Sequence, residues 1–311
     1  MIHRLSTRGS ALALWQAERT KALLEALGHR VELVIIESSG DRDRTTDLAR
    51  FGSIGIFTVE VDRAVTDGRA DIGVHSLKDM TTTLHDGVQL AGVLERGMIE
   101  DALVARDGLS LMELPKGATI GSGSQRRGAM LRAARPDLEV VQIRGNVPTR
   151  LGKVTGGELD ATVLARAGLV RLGLDEHITE VLDTGRFLPA VGQGIVGLTC
   201  RADDAERAAV LATSLRDAGA WAAAMAERSF LRRMKGGCNA PVGGHATLEG
   251  GAPNRSLTLA GRVLSLDGSE TIEGSVQGSS DEAEALGIQL ALDLEAKGGG
   301  RLIEAARAAT P

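Results

Sequence analysis

The stretch Ala70-Asp71-Ile72-Gly73-Val74-His75-Ser76-Leu77-Lys78-Asp79 decides the fold. Its apolar run reads as a buried strand that ends at His75 and delivers a charged cluster just beyond its carboxyl end. Helical and strand patterns alternate around it. A helix over Ser10 to Leu27, stopped at Gly28, precedes a strand over Val31 to Ile36, and a second helix runs from Thr58 to about Thr66. From Asp101 a new set begins. Strands are expected at 102–105, 118–121, 139–143 and 161–164, with helices over 125–134 and near Thr149. Repeated strand, loop and helix units imply α/β lobes with mostly parallel sheets, whose ligands sit beyond the carboxyl ends of the strands.

The apolar run Gly192 to Cys200 reads as one more strand, followed by helices over 203–215 and 218–234. Strand-like stretches at 245–248, 257–264 and 271–276 and a helix over 281–295 complete a small α+β C-terminal domain. A chain of 311 residues exceeds what one core supports. Two or three domains are therefore expected.

Composition narrows the function. Aromatic residues make up 2% of the chain, Tyr is absent and the formal net charge is −5, which argues against nucleic-acid binding through stacking or a basic surface. Two cysteines are too few for a disulfide framework, the first residues lack an apolar signal core, and no run reaches the roughly 18 apolar residues of a membrane helix. The expected location is the cytoplasm, with no membrane partner. The histidines are scattered without ligand spacing, so no metal is expected.

Three basic corners stand out. In Ser122-Gly123-Ser124-Gln125-Arg126-Arg127 a strand opens into a helix, so hydroxyls, backbone N–H groups and two guanidiniums converge at a positive helix end. The same residues also suit an N-cap with two solvated arginines. Gln142 to Arg150, with Arg144 and Arg150, and Thr7-Arg8-Gly9-Ser10 repeat the theme. Three such corners in an acidic protein suit a cleft between two lobes and a ligand with several carboxylates. Lys78 beside Asp79 could be a solvated pair or, in that cleft, an anion grip and a general acid. His75 reads as a structural strand-end residue. Cys238 lies in the glycine-rich loop Lys235 to Gly244, placed to be reached for covalent attachment or nucleophilic catalysis, whereas Cys200 sits in an apolar strand as a small hydrophobe.

These motifs in this order resemble the porphobilinogen deaminase (hydroxymethylbilane synthase) family over nearly the whole chain. The matching stretches are Thr7 to Ser10 with Leu12 to Ala17, Ala70 to Asp79, Gly121 to Arg127, Arg144 to Arg150, Leu188 to Gly194, and Gly236-Gly237-Cys238. The resemblance implies two lobes like a periplasmic binding protein, a discontinuous first one over residues 1–95 and 193–216 and a second over 96–192, and a third domain over 217–311 carrying the cysteine loop. It implies a transferase that polymerises four porphobilinogen molecules head to tail into hydroxymethylbilane, releasing ammonia, on the route to haem and other tetrapyrroles. A dipyrromethane cofactor would be held by a thioether to Cys238. Asp79 would be catalytic, assisting deamination and stabilising the cationic azafulvene and the pyrrole N–H groups. Lys78, Asp79, Ser122, Ser124, Arg126, Arg127 and Arg150 would hold the cofactor, and Arg8, Ser10, Arg144, Arg150 and Gln193 the incoming substrate. A monomer is the family's habit.

The chain departs from the family pattern in four places. Arg50 and Ile54 stand where lysines are usual, and Gly97-Met98-Ile99-Glu100-Asp101 lacks the proline-arginine pattern of the passage between lobes. Gly123 replaces a hydroxyl residue, and Arg166 stands among usually small residues. A competing reading is a non-catalytic, two-lobed anion-binding homologue that has lost turnover. A cysteine-dependent hydrolase is disfavoured because no histidine is assigned to activate Cys238.

Overall fold

The computed structural model describes residues 2–36, 58–236, 240–250 and 255–309. The first sheet contains β1 (Ile2–Arg8), β2 (Arg30–Ile36), β3 (Ile72–Ser76), β4 (Val88–Val93) and β10 (Val196–Arg201), in the order β2-β1-β3-β10-β4. β1 pairs in parallel with β2 and β3, and β10 runs antiparallel to both β3 and β4. The second contains β5 (Asp101–Ala105), β6 (Thr119–Ser122), β7 (Glu139–Gln142), β8 (Ala161–Ala165) and β9 (Glu180–Val181), in the order β7-β6-β8-β5-β9. β6 is parallel to β7 and β8, whereas β5 is antiparallel to β8 and β9. The two lobes share one plan. Each keeps its other strands in a common direction and admits one reversed strand, because the chain enters that strand from the opposite lobe.

Helices cover both faces, which is why β3 is buried along Ile72 to His75 rather than alternating. Ile72 and Val74 pack with Leu5, with Leu24 of α1 (Ala11–Ala26) and with Leu211 of α6 (Ala205–Ser214). The other face of β3, against α2 (Val59–Thr66), is polar. His75 Nε2 lies 3.0 Å from Asp62 Oδ1, and the Thr199 hydroxyl donates to that oxygen at 2.8 Å. A Cβ at Gly73 would fall 2.4 Å from the Thr199 hydroxyl oxygen, so this strand position has room for glycine alone. His75 is therefore a satisfied core histidine.

In the second lobe α3 (Gln125–Ala134), α4 (Val147–Thr155) and α5 (Arg166–Arg171) follow β6, β7 and β8. The third unit packs α7 (Ala218–Arg233), α8 (Ala283–Ala296) and α9 (Gly299–Ala308) with the antiparallel sheet β11 (Val242–Glu249), β12 (Ser256–Leu264) and β13 (Thr271–Ser279). Gly287 lets α8 meet α7 closely, since a Cβ there would lie 2.3 Å from the Ala226 carbonyl.

The chain crosses between the lobes twice, and the crossings lie side by side. Gly97 N–H donates to the Gly194 carbonyl at 3.0 Å, and Gly194 takes φ +87° with the Gly97 and Met98 carbonyls pressed against it. The expected strand over 192–200 therefore begins only at Val196, since Gly192 to Gly194 build the crossing. Glu227 of α7, fully buried, ties the third unit to both crossings. Its carboxylate meets Arg96 Nη1 at 2.5 Å and accepts from Gly192 N at 2.7 Å and from Ala246 N at 2.8 Å. Burial alone would raise its pKa, but Arg96 and His245 hold it at about 2. Arg228, one residue on, donates to the Thr81 carbonyl at 2.8 Å.

His3 is buried in β1 beside Arg207 and His29, and burial together with those neighbours pushes its pKa down to about 4. The unfolded chain binds this proton near pH 6.5 and the folded chain does not until about pH 4. The stability is thus complete above about pH 6.5 and falls as the pH drops toward 4. Melting temperatures between pH 4 and 7 should show this loss, and His3→Gln should flatten it; an equal slope in both proteins would contradict the assignment.

Candidate active site

Each corner is built by a local cap. The Ser10 hydroxyl accepts from Ala13 N at 3.4 Å, Ser124 from Arg127 N at 3.4 Å, and the Asn146 side chain from Thr149 N at 3.0 Å. Ser122 supports its loop, its Oγ accepting from Ser124 N at 3.2 Å. Because β1 runs with β3, and β6 with β7 and β8, the corners gather at one edge of each sheet. A cleft on the first-lobe side is lined by Arg8, Ser10, Gln16, His75, Ser76 and Asp79. Gln16, buried at 2% exposure, donates to the Ser76 hydroxyl at 2.8 Å. Both lie in stretches that carry the resemblance, but neither has a role assigned by sequence, because both are ordinary polar residues until β3 and α1 meet.

Lys78 and Asp79 sit in a 3-10 turn, Leu77–Asp79, directly after β3. The Asp79 side chain is exposed at the cleft. Lys78 turns inward and donates to Gln193 Oε1 at 3.2 Å. Burial, reinforced by Arg127, pushes its pKa down to about 8 against the pull of Asp79 and Asp101.

Behind Lys78 lies a network that sequence did not single out. Asp101, at the start of β5 and 0% exposed, stands 2.8 Å from Arg126 Nη1 and 2.7 Å from Arg127 Nη2. Burial would raise its pKa, but the two guanidiniums hold it far below the usual carboxylate range. Arg126 also donates to the Leu188 carbonyl at 2.7 Å and Arg127 to the Val163 carbonyl at 3.2 Å. The arginines are thus neither solvated nor open. They are fixed on an internal carboxylate, with Nε of each buried and unpartnered among the described residues. Gln193 is also fully buried, its amide donating to Asp101 Oδ1 at 2.8 Å and to the Ile99 carbonyl at 2.7 Å. It holds Lys78 and Asp101 in place and offers the cleft no free face.

Arg150 comes from α4, and its Nε donates to the Gly145 carbonyl at 2.8 Å. Burial and the nearby Arg127 lower its pKa to about 10, opposed by Asp79. A Cβ at position 123 would lie 2.8 Å from the Ile143 carbonyl and 3.0 Å from Arg150 Nη2, a physical reason for glycine at this corner. Arg144, half-buried, follows β7. Cys238, Arg50 and Ile54 lie outside the described residues. Cys200 is fully buried, and burial pushes its thiol up to about 11, which makes it inert.

The fold and cleft define a two-lobed α/β protein with cationic strand ends and the exposed carboxylate of Asp79 at the cleft. Comparison with known proteins identifies the group more closely. Residues 3–209 match the family model "Porphobilinogen deaminase, dipyromethane cofactor binding domain", and residues 221–296 match "Porphobilinogen deaminase, C-terminal domain". The chain is 41% identical over 303 residues to a porphobilinogen deaminase of Syntrophobacter fumaroxidans, covering 97% of this chain and 96% of that one. It is 44% identical over 303 residues to that of Trichlorobacter lovleyi, covering 97% and 95%. The chain belongs to the porphobilinogen deaminase family. Among solved structures it is similar to the methionine-binding protein MetQ, with 14% identity and a TM-score of 0.45 over 68% of this chain and 89% of that one.

Asp101→Asn should remove the counter-charge of two buried guanidiniums and destabilise the fold by roughly 3–5 kcal/mol, read as a lower urea midpoint; an unchanged midpoint would show that the arginines do not need it. Lys78 should lose its charge as the pH rises through about 8. Its rate of reductive methylation should climb with that midpoint, and a midpoint near that of ordinary lysines would contradict its burial against Arg127.

Proposed function

We propose that this chain is a hydroxymethylbilane synthase: a transferase that joins four porphobilinogen molecules head to tail, with loss of ammonia at each addition, in tetrapyrrole biosynthesis. One observation carries the reading. Asp79 is an exposed carboxylate beside Lys78 and within the field of Arg150, in a cleft whose other charged corners are cationic. Each porphobilinogen ring carries an acetate and a propionate, which such corners hold. Asp79 holds the positive charge that develops as the aminomethyl C–N bond breaks, and supplies or receives the proton at its carboxylate oxygen. Arg8, Ser10, Arg144 and Arg150 grip the carboxylates of the incoming ring, and Gln193 serves that grip by fixing Lys78.

The donor set fits a dipyrromethane cofactor. Its carboxylates need charged donors, and Arg126 and Arg127 each keep a buried Nε without a partner among the described residues. Lys78, Ser122, Ser124, Arg126, Arg127 and Arg150 would hold it, with a thioether to Cys238. When bound, the cofactor supplies the primer on which chain growth begins.

The same reading divides the chain into a first lobe over residues 1–95 and 193–216, a second over 96–192, and a cofactor-bearing domain over 217–311. Among the described residues no helix is long and apolar enough to cross a membrane. A cytoplasmic monomer acting without nucleic acid is the form proposed. Membership of the deaminase family supports turnover over the alternative of an anion-binding homologue without it.

Intact mass of the purified protein should exceed the bare polypeptide by a two-pyrrole adduct, lost in Cys238→Ala. Asp79→Asn should keep the adduct and lose roughly 10²–10⁴-fold in turnover. Undiminished release of ammonia by that variant would exclude the role given to Asp79.

A further inference from the structure

Two of the departures from the family pattern meet in space. Arg166 Nη1 stands 3.1 Å from Glu100 Oε1, and Arg166 N–H donates to the Glu100 carbonyl at 3.0 Å. Arg166 opens α5 where β8 ends, so it lies at the same sheet edge as the ends of β6 and β7 that carry Ser122 and lead to Arg144. α5 faces the first lobe. A Cβ at Gly168 would lie 3.7 Å from the Leu12 side chain of α1, and the Arg171 guanidinium stands 5.1 Å from the centre of the Trp15 ring.

Arg166 is loosely held. Its side chain and that of Glu100 are 32% and 27% exposed and share one contact, while Glu100 Oε2 is buried with no partner among the described residues. A partly solvated, single-contact pair contributes little, and a guanidinium has further N–H donors to give. Arg126 and Arg127 are the opposite case, 3% and 6% exposed and committed to Asp101. A product that gains two carboxylates with each ring needs cations beyond those that hold the cofactor.

We propose that Arg166 is a further carboxylate-binding residue of this cleft, steadied by Glu100 and passed to an acetate or propionate of the growing product. This rests on the synthase reading above. The exchange replaces one guanidinium–carboxylate pair by another of the same kind and makes or breaks no covalent bond.

The test is steady-state kinetics of the holoenzyme with porphobilinogen, alongside melting temperatures. Arg166→Ala should raise KM about tenfold, the loss of one charge-assisted hydrogen bond, and should raise it more than it lowers kcat. Arg166→Lys should fall between, and Glu100→Gln, which frees the guanidinium without changing shape, should lower KM. A structural pin would move both variants the same way, with matching falls in melting temperature, and that result overturns the proposal. So does a KM for Arg166→Ala within twofold of wild type. Wild-type turnover is the separate check: its absence overturns the synthase reading and this proposal together, whereas its presence with an unmoved KM overturns this proposal alone.

Discussion

A carboxylate with no access to water, Asp101, is the constraint around which the cleft is arranged. Such a charge is tolerated only when surrounded by well-placed donors, and here they come from separate places in the chain. Arg126 and Arg127 come from α3, and the Gln193 amide from the second crossing between lobes. The side-chain oxygen of Gln193 then accepts a hydrogen bond from Lys78. One buried charge thus fixes a helix of the second lobe, a crossing, and the lysine beside the exposed carboxylate of the first.

Glu227 plays the matching part for the third unit. It reaches neither lobe's outer surface but the two crossings themselves, through Arg96 and Gly192, while also receiving the Ala246 N–H of its own sheet. The third unit is therefore anchored where the lobes join. The Gly97 to Gly194 hydrogen bond runs through the same spot, so three parts of the molecule share one small region.

Much of the fold is legible in the sequence because it is local. The helices at α1, α3 and α7 and the buried strand before His75 follow from periodicity and caps, and the basic corners mark the cleft edges. β4 and α9 escape it. The run Val88 to Val93 mixes Gln89 and Gly92 into an apolar strand, and the three glycines at 298–300 interrupt any helical pattern, although Gly298 at φ +98° only turns the chain into a last helix. The site is legible as residue types but not as partnerships. That Arg126 and Arg127 face Asp101, that Gln193 is sealed inside, and that Glu100 meets Arg166 are contacts across 25 to 92 residues of chain. No periodicity records them.

The placement of β10 between β3 and β4 carries a consequence for how the molecule is made. When the ribosome has delivered the first 95 residues, the first sheet has a gap between β3 and β4, with the facing edges of both strands unpaired. They stay so until the whole second lobe has been synthesised and residues 196–201 emerge to close the gap. The lobe that begins first is completed second, and a nascent chain stalled between the two crossings displays two raw strand edges to whatever chaperone or neighbour is at hand.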